Sequence, residues 1–322
     1  MKFAVAALVG AVNASSFLGY DNTLTEVDYE FFSFISKHGK SYGTREELEF
    51  RKQVFQETYE FVKEWNAGNN SHEVEVNFLA DWTYAEKKRL NGFVPTQVRN
   101  PVRIAEKNAG YVNWVDEGAV TPVKNQGQCG SCWAFSTTGA VEGADFLATK
   151  TLNSYSEQQL VDCAGGSYGN LGCNGGDMDA AFKYIEDNGI ELESAYPYKG
   201  VDGTCKADKS KSAGAVKNFN DVPAKDVSQM NSYVQQGPVS VAIEADKLVF
   251  QMYRSGVMDT SRCGTNLDHG VLVVGFGNES GKDYYLVKNS WGTTWGDKGY
   301  VKIAANADDT CGILDSASQP TD

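Results

Sequence analysis

The sequence predicts an α+β fold of two lobes, one mainly helical and one mainly of strands, preceded by a helical N-terminal segment. Three observations lead there. All seven cysteines lie beyond position 128, whereas the stretch from Ser15 to about Lys107 has none and is rich in long polar helical runs. Past that break, apolar residues recur first at helical spacing. From Val239 onward they fall instead into short continuous or alternating runs of strand type.

The chain opens with Met1, Lys2 and an apolar run from Phe3 to Val12, closing on Val12-Asn13-Ala14 before Ser15 and Ser16. That is the pattern of a secretory signal peptide cut after Ala14. The run is about ten residues long against the roughly 20 needed to span a bilayer, so the mature chain is expected to be soluble, without a membrane anchor, and lumenal or extracellular. Next, Thr44 with Glu47 three residues on predicts a capping box. Leu48, Phe55, Val62 and Trp65 then mark one face of a helix of about five turns, ending near Asn66 and Gly68. The stretch from Phe93 to Gly110, with Pro95, Asn100 and Pro101, has no apolar period and suits an extended, protease-accessible connector.

Beyond it, Cys132, Ala134, Val141, Ala144 and Leu147 predict a buried helix that opens just after Gly127 and Gly130. A second helix runs through Met178, Ala181, Phe182 and Ile185 to the stop at Asn188-Gly189. Strands are expected at Val239 to Ile243, Val271 to Val274, Tyr284 to Val287 and Tyr300 to Ile303. The domain reading is therefore 1–14 signal peptide, 15–107 prosegment and 108–322 main body, the last split at about residue 220 into a helical lobe and a strand lobe reaching about 315. Groups from two such lobes meet at the cleft between them.

Formal net charge is −13 with a sequence pI near 4.8, and no basic stripe offsets it, which argues against a nucleic-acid partner. No internal repeat or low-complexity tract is present. Asn69 and Asn278 each begin a glycosylation sequon. The odd number of cysteines leaves one thiol over in a chain that otherwise suits a disulfide framework. Of the three histidines, His38 and His72 lie in the prosegment, so the main body keeps His269 alone. One free thiol and one imidazole are the minimum for a nucleophilic pair in which the ring takes the thiol proton and later returns it to a leaving group. Zinc is the competing use. Cys129 and Cys132 do have the spacing of a metal hairpin, but no second such pair exists, so neither metal nor other cofactor is expected.

The contexts of these residues are Gln126-Gly127-Gln128-Cys129-Gly130-Ser131-Cys132-Trp133, Asp268-His269-Gly270 and Lys288-Asn289-Ser290-Trp291-Gly292. With them the chain closely resembles the papain-like cysteine proteases, in particular cathepsin L-like endopeptidases, over everything past the signal peptide. The resemblance implies the papain-like two-lobed fold, a helical lobe plus a β-barrel-like lobe, with a helical propeptide that inhibits the enzyme until it is removed. It makes Cys132 the nucleophile, His269 the general base, Asn289 the amide that orients the imidazole and Gln126 the side-chain donor of the oxyanion hole. At a helix N-terminus beside an imidazolium, the Cys132 thiol is expected to titrate well below a free one.

The resemblance also implies bridges Cys129–Cys173, Cys163–Cys205 and Cys263–Cys311. The pocket for the second residue before the scissile bond would be lined by Met178, Ala242, Leu267 and Ser316, with Gly130 and Gly176 as backbone partners of the peptide and Trp291 over the catalytic contact. Such a lining favours Leu, Val or Phe and disfavours Arg. In the prosegment Glu47, Arg51, Phe55, Val62, Asn66, Asn77 and Asp81 match the propeptide motifs, while Thr58, Glu75 and Leu79 depart from them. Protein and peptide substrates, a monomer, a lysosome, digestive vacuole or secreted location, acid-triggered release through protonated carboxylates and cleavage near Asn108 are the accompanying expectations.

Overall fold

A computed structural model describes residues 23–106 and 110–321. The signal peptide and the expected cleavage point at Asn108 lie outside them. The prosegment begins with α1 (Glu26–His38) and α2 (Arg45–Ala67). Thr25 caps α1 reciprocally with Asp28, and Gly39 closes it in the left-handed conformation that a Cβ disfavours. At α2 the predicted box is only half formed. Thr44 accepts from the Glu47 N–H, but the Glu47 carboxylate turns to the Gly43 N–H instead of that of Thr44.

Phe31, Phe34, Phe55 and Ala80 make a small core of the prosegment's own, so α1, which the sequence reading did not isolate, is held by its phenylalanines. Val62, Trp65 and Leu79 instead join the main core of the strand lobe. Arg51 clamps the Glu86 carboxylate of α3 (Tyr84–Lys88) with bonds of 2.6 and 2.8 Å, and Asp81 holds Lys40 and Tyr42.

The main body starts with β2 (Val112–Asn113). Three helices follow: α4 (Cys132–Thr149), α5 (Glu157–Cys163) and α6 (Met178–Asn188). Then come β3 (Asn218–Asp221), α7 (Val227–Val234), β4 (Val239–Ile243), α8 (Leu248–Gln251) and β5 (Tyr253–Met258). The chain ends with β6 (His269–Glu279), β7 (Lys282–Lys288), β8 (Tyr300–Ala304) and β9 (Ala317–Thr321).

With β1 (His72–Val74) as its outermost strand, the sheet follows the order β1-β5-β8-β7-β6-β4-β9-β3, and β2 pairs with β6. The path does not close, so among the described residues the second lobe is an open sheet and not a closed barrel. It also reaches past the predicted limits of the strand lobe, since β2 comes from ahead of the helices and β9 from after residue 315. Both are too short or too polar to read from alternation.

The lobes meet along α4, which packs on β6. Gly139 and Gly143 let that contact close, because a Cβ at either would lie 2.7 Å from Leu272 or 2.5 Å from Pro238. Behind the contact, Lys124 joins Glu142 at 3.0 Å and Glu157 at 2.6 Å, both carboxylates buried. Cys129 is bridged to Cys173, Cys163 to Cys205 and Cys263 to Cys311, leaving Cys132 a buried free thiol. No helix among the described residues is long and apolar enough to cross a membrane.

Candidate active site

Cys132 is the first residue of α4, so its own N–H has no intrahelical acceptor and the positive end of the helix dipole points at its sulfur. His269 is the first residue of β6, across the cleft. Sγ of Cys132 accepts from the Gly270 N–H at 3.3 Å, which sets the thiol against the peptide that follows the imidazole. Nε2 of His269 lies 2.8 Å from Oδ1 of Asn289, and the Ser290 N–H donates to that same oxygen at 2.8 Å. An oxygen fixed as acceptor keeps the proton on Nε2 and leaves the neutral ring's lone pair on Nδ1. Nδ1 has no well-formed hydrogen bond to a described residue. The Trp291 ring lies 4.9 Å from the imidazole and packs edge-on against Phe250, so this tryptophan covers the histidine from the core side.

Gln126 is fully buried and doubly fixed. Its Oε1 accepts from the Ser290 hydroxyl at 2.7 Å, and its Nε2 donates to the Cys129 carbonyl at 2.8 Å. The Tyr198 hydroxyl donates to the Gln126 carbonyl at 2.7 Å and meets the Ser131 hydroxyl at 2.6 Å. Ser290, Asp268 and Tyr198 were not singled out from the sequence. The first two are chain neighbours of Asn289 and His269, which was the available signal; nothing in the sequence pointed to Tyr198.

The groove is filled by the chain's own prosegment. Gln126 Nε2 also donates to the Leu90 carbonyl at 2.9 Å, and the Gly92 N–H points at Cys132 Sγ from 3.2 Å. Asn91 donates to the Asp268 carboxylate at 2.8 Å, and the Phe93 N–H to the Asp268 carbonyl at 2.8 Å. Gly176 donates to the Gly92 carbonyl at 2.8 Å and accepts from the Val94 N–H at 2.9 Å. Phe93 is buried in one apolar cluster with Met178, Ala242 and Leu267, while Ser316 joins that wall through its carbonyl, bonded to Ala242 N–H, with its hydroxyl unpartnered.

Gly92 passes Gly130 with no room to spare, since a Cβ there would sit 2.0 Å from the Gly130 carbonyl oxygen. The expected free connector is thus docked at its start. Phe93 lies in the cleft because backbone hydrogen bonds on both edges and an apolar pocket hold a segment that has no period of its own.

Burial, to which this segment contributes, favours the neutral form of both groups. It pushes the Cys132 thiol up to about 11, against which the Gly270 and Gly92 N–H groups work, and pushes His269 down to about 4, against the Asn289 and Leu90 oxygens. In the covered state burial thus works against the low-titrating thiol that a helix start beside an imidazolium would favour. Asp268, next to the imidazole, is raised to about 6, first by burial and then by the Asp246 and Glu244 charges. No group of three or more His, Cys, Asp or Glu suited to a metal occurs among the described residues.

A lone thiol at a helix start, an amide-held imidazole on the opposing lobe and a prosegment lying over both define the class of the molecule: a cysteine protease held as a zymogen. The chain belongs to the papain family: residues 109–321 match the papain family of cysteine proteases, and residues 31–86 the cathepsin propeptide inhibitor domain (I29). Within that family it is cathepsin L-like. It is 45% identical to cathepsin L of Sarcophaga peregrina over 91% of this chain and 92% of that one. To digestive cysteine proteinase 1 of Homarus americanus it is 42% identical, over 89% of this chain and 93% of that one. Among solved structures, digestive procathepsin L 3 of the Tenebrio molitor larval midgut superposes with a TM-score of 0.84 at 40% identity, over 92% of this chain and all of that one.

Proposed function

We propose that this zymogen yields an endopeptidase in which Cys132 attacks the scissile carbonyl, His269 carries the proton to the leaving amine, Asn289 holds the ring and Gln126 with the Cys132 N–H receives the oxyanion. Met178, Ala242, Leu267 and Ser316 select an apolar second residue before the scissile bond, and Gly176 pairs with the substrate backbone. Removing the prosegment, at acidic pH and by cleavage near Asn108, returns water and substrate to the cleft. The helix dipole and imidazolium can then hold the sulfur as thiolate.

The observation that carries this reading is the polarity of the prosegment in the groove. In a substrate, the residue in the apolar pocket precedes the carbonyl delivered to Gln126. In the prosegment the order is reversed, since the Leu90 carbonyl is on Gln126 and Phe93, three residues later, fills the pocket. The sulfur consequently faces the Gly92 N–H and not a carbonyl carbon, so the segment lies over the thiol and the apolar pocket without offering a bond to cut.

A lysosomal, vacuolar or secreted monomer acting on proteins and peptides fits the same reading. Its test is labelling of the matured enzyme with a peptide epoxide, together with a scan of the pocket position. Single-site modification at Cys132 and preference for Leu, Val or Phe are expected; a preference for Arg, with Ser316 as the only polar side chain at the pocket wall, would overturn the pocket assignment.

A further inference from the structure

We infer that Asp177, Asp179 and Asp221 form a guanidinium socket at the outer end of the groove, filled by Arg99 in the zymogen and by an arginine side chain of a peptide substrate in the mature enzyme. The inference rests on the endopeptidase reading above and extends it to the substrate. In the zymogen the Arg99 guanidinium lies 3.7 Å from Asp177, 3.2 Å from Asp179 and 3.3 Å from Asp221, and reaches the Ala317 carbonyl at 3.5 Å. Three carboxylates from two elements, the start of α6 and the end of β3, thus converge on one planar cation.

Asp179 is 1% exposed, and among the described residues its one ion pair is with the Arg99 guanidinium. Burial lifts its carboxyl to about 7 in spite of Arg99, with Asp177 and Asp221 adding to the rise and the Ser318 hydroxyl opposing it. When the prosegment goes, the Asp177 carboxylate also loses the Thr96 and Gln97 N–H groups, and Asp221 loses that of Asn100. Asp177 and Asp221, having lost these partners, favour a replacement cation, whose arrival draws the proton off Asp179, and arginine's fork suits several acceptors at once where lysine's point charge does not.

The socket is reached from the groove itself. Asp177 directly follows Gly176, the backbone partner of the bound segment, and the chain leaving Gly176 at Val94 meets Asp177 two residues later at Thr96. Substrate residues that lie upstream of the one in the apolar pocket leave the groove by the same end.

The test uses the mature enzyme and a peptide series with Leu in the pocket position and arginine walked through the upstream positions, each compared with citrulline at near-neutral pH. At the position that reaches the socket, arginine should raise kcat/KM on the order of tenfold, carried by KM, as loss of a charge-assisted pair implies, and lysine should do less. Asp179→Asn and Asp221→Asn enzymes should lose that advantage and still cut the citrulline peptide at the wild-type rate. Should either variant fail to fold, the arginine and citrulline pair on the unaltered enzyme decides alone. Equal kcat/KM for arginine and citrulline at every position would overturn the socket, whereas a citrulline peptide left uncut would overturn the endopeptidase reading beneath it.

Discussion

Replacing His72 by glutamine tests how acid loosens the prosegment. His72 sits in β1, the strand the prosegment adds to β5, with its ring between Trp65 and Tyr253 and Nε2 3.3 Å from the Val249 carbonyl. Burial pushes its imidazole down to about 4, opposed only in part by that carbonyl. A free histidine titrates near 6.5, so the undocked ring takes up a proton that the docked ring refuses. Docking is therefore unpenalised above about pH 6.5 and is weakened progressively as the pH falls toward 4. At about pH 5 the difference between the two proton-binding curves is about 2 kcal/mol, or roughly 30-fold in docking.

The assay is the rate at which a small thiol reagent alkylates Cys132 in the full-length chain, followed by intact mass, for wild type and His72→Gln. Taking the ratio of the two removes the thiol's own pH dependence. The ratio of wild-type to variant rate should rise roughly 20-fold from about pH 7 to 5; a flat ratio refutes the role of His72. The Glu86 carboxylate, one of those the sequence suggested as an acid trigger, acts lower. Arg51 holds the Glu86 carboxyl near 2, so that clamp is at full strength above about pH 4.5 and is lost only as the pH falls through 2.

Gly92→Ala should open the zymogen at neutral pH at least about tenfold faster by the same alkylation assay, because the added methyl has no space against Gly130 and overpacking typically costs about 1–3 kcal/mol; an unchanged rate would contradict the close approach. Gln126→Ala in the matured enzyme should lower kcat about a hundredfold while leaving KM and the alkylation of Cys132 nearly unchanged, as steady-state kinetics would report. Lys124→Met strands the Glu142 and Glu157 carboxylates between the lobes and should cost about 3 kcal/mol or more in denaturant unfolding. A midpoint within error of wild type would show that the pair holds a proton instead.

The catalytic helix, α6 and the central strands were legible because each carries a strong period or a glycine stop, as Met178 to Gly189 does. Cys132 and His269 stood out by elimination, as a thiol over and the last imidazole of the main body. What was hidden was held by long-range contacts: α1 by phenylalanines that pack on Phe55 of α2, β2 and β9 by partners about a hundred residues away or more on β6 or β3, and the segment from Leu90 to Val94 by the groove it fills. The state of the thiol was hidden for the same reason. A helix start argues for a lowered thiol, and only the segment lying over it shows the burial that works against it.

The most direct measurement follows the pH dependence of Cys132 alkylation in the matured enzyme, with and without His269→Ala. Wild type should react as a thiolate already at mildly acid pH, its titration well below that of a free thiol, and the variant should shift back toward about 8.5. A matured enzyme whose sulfur titrates near the free value, or does so identically without the imidazole, would contradict the pairing of Cys132 with His269.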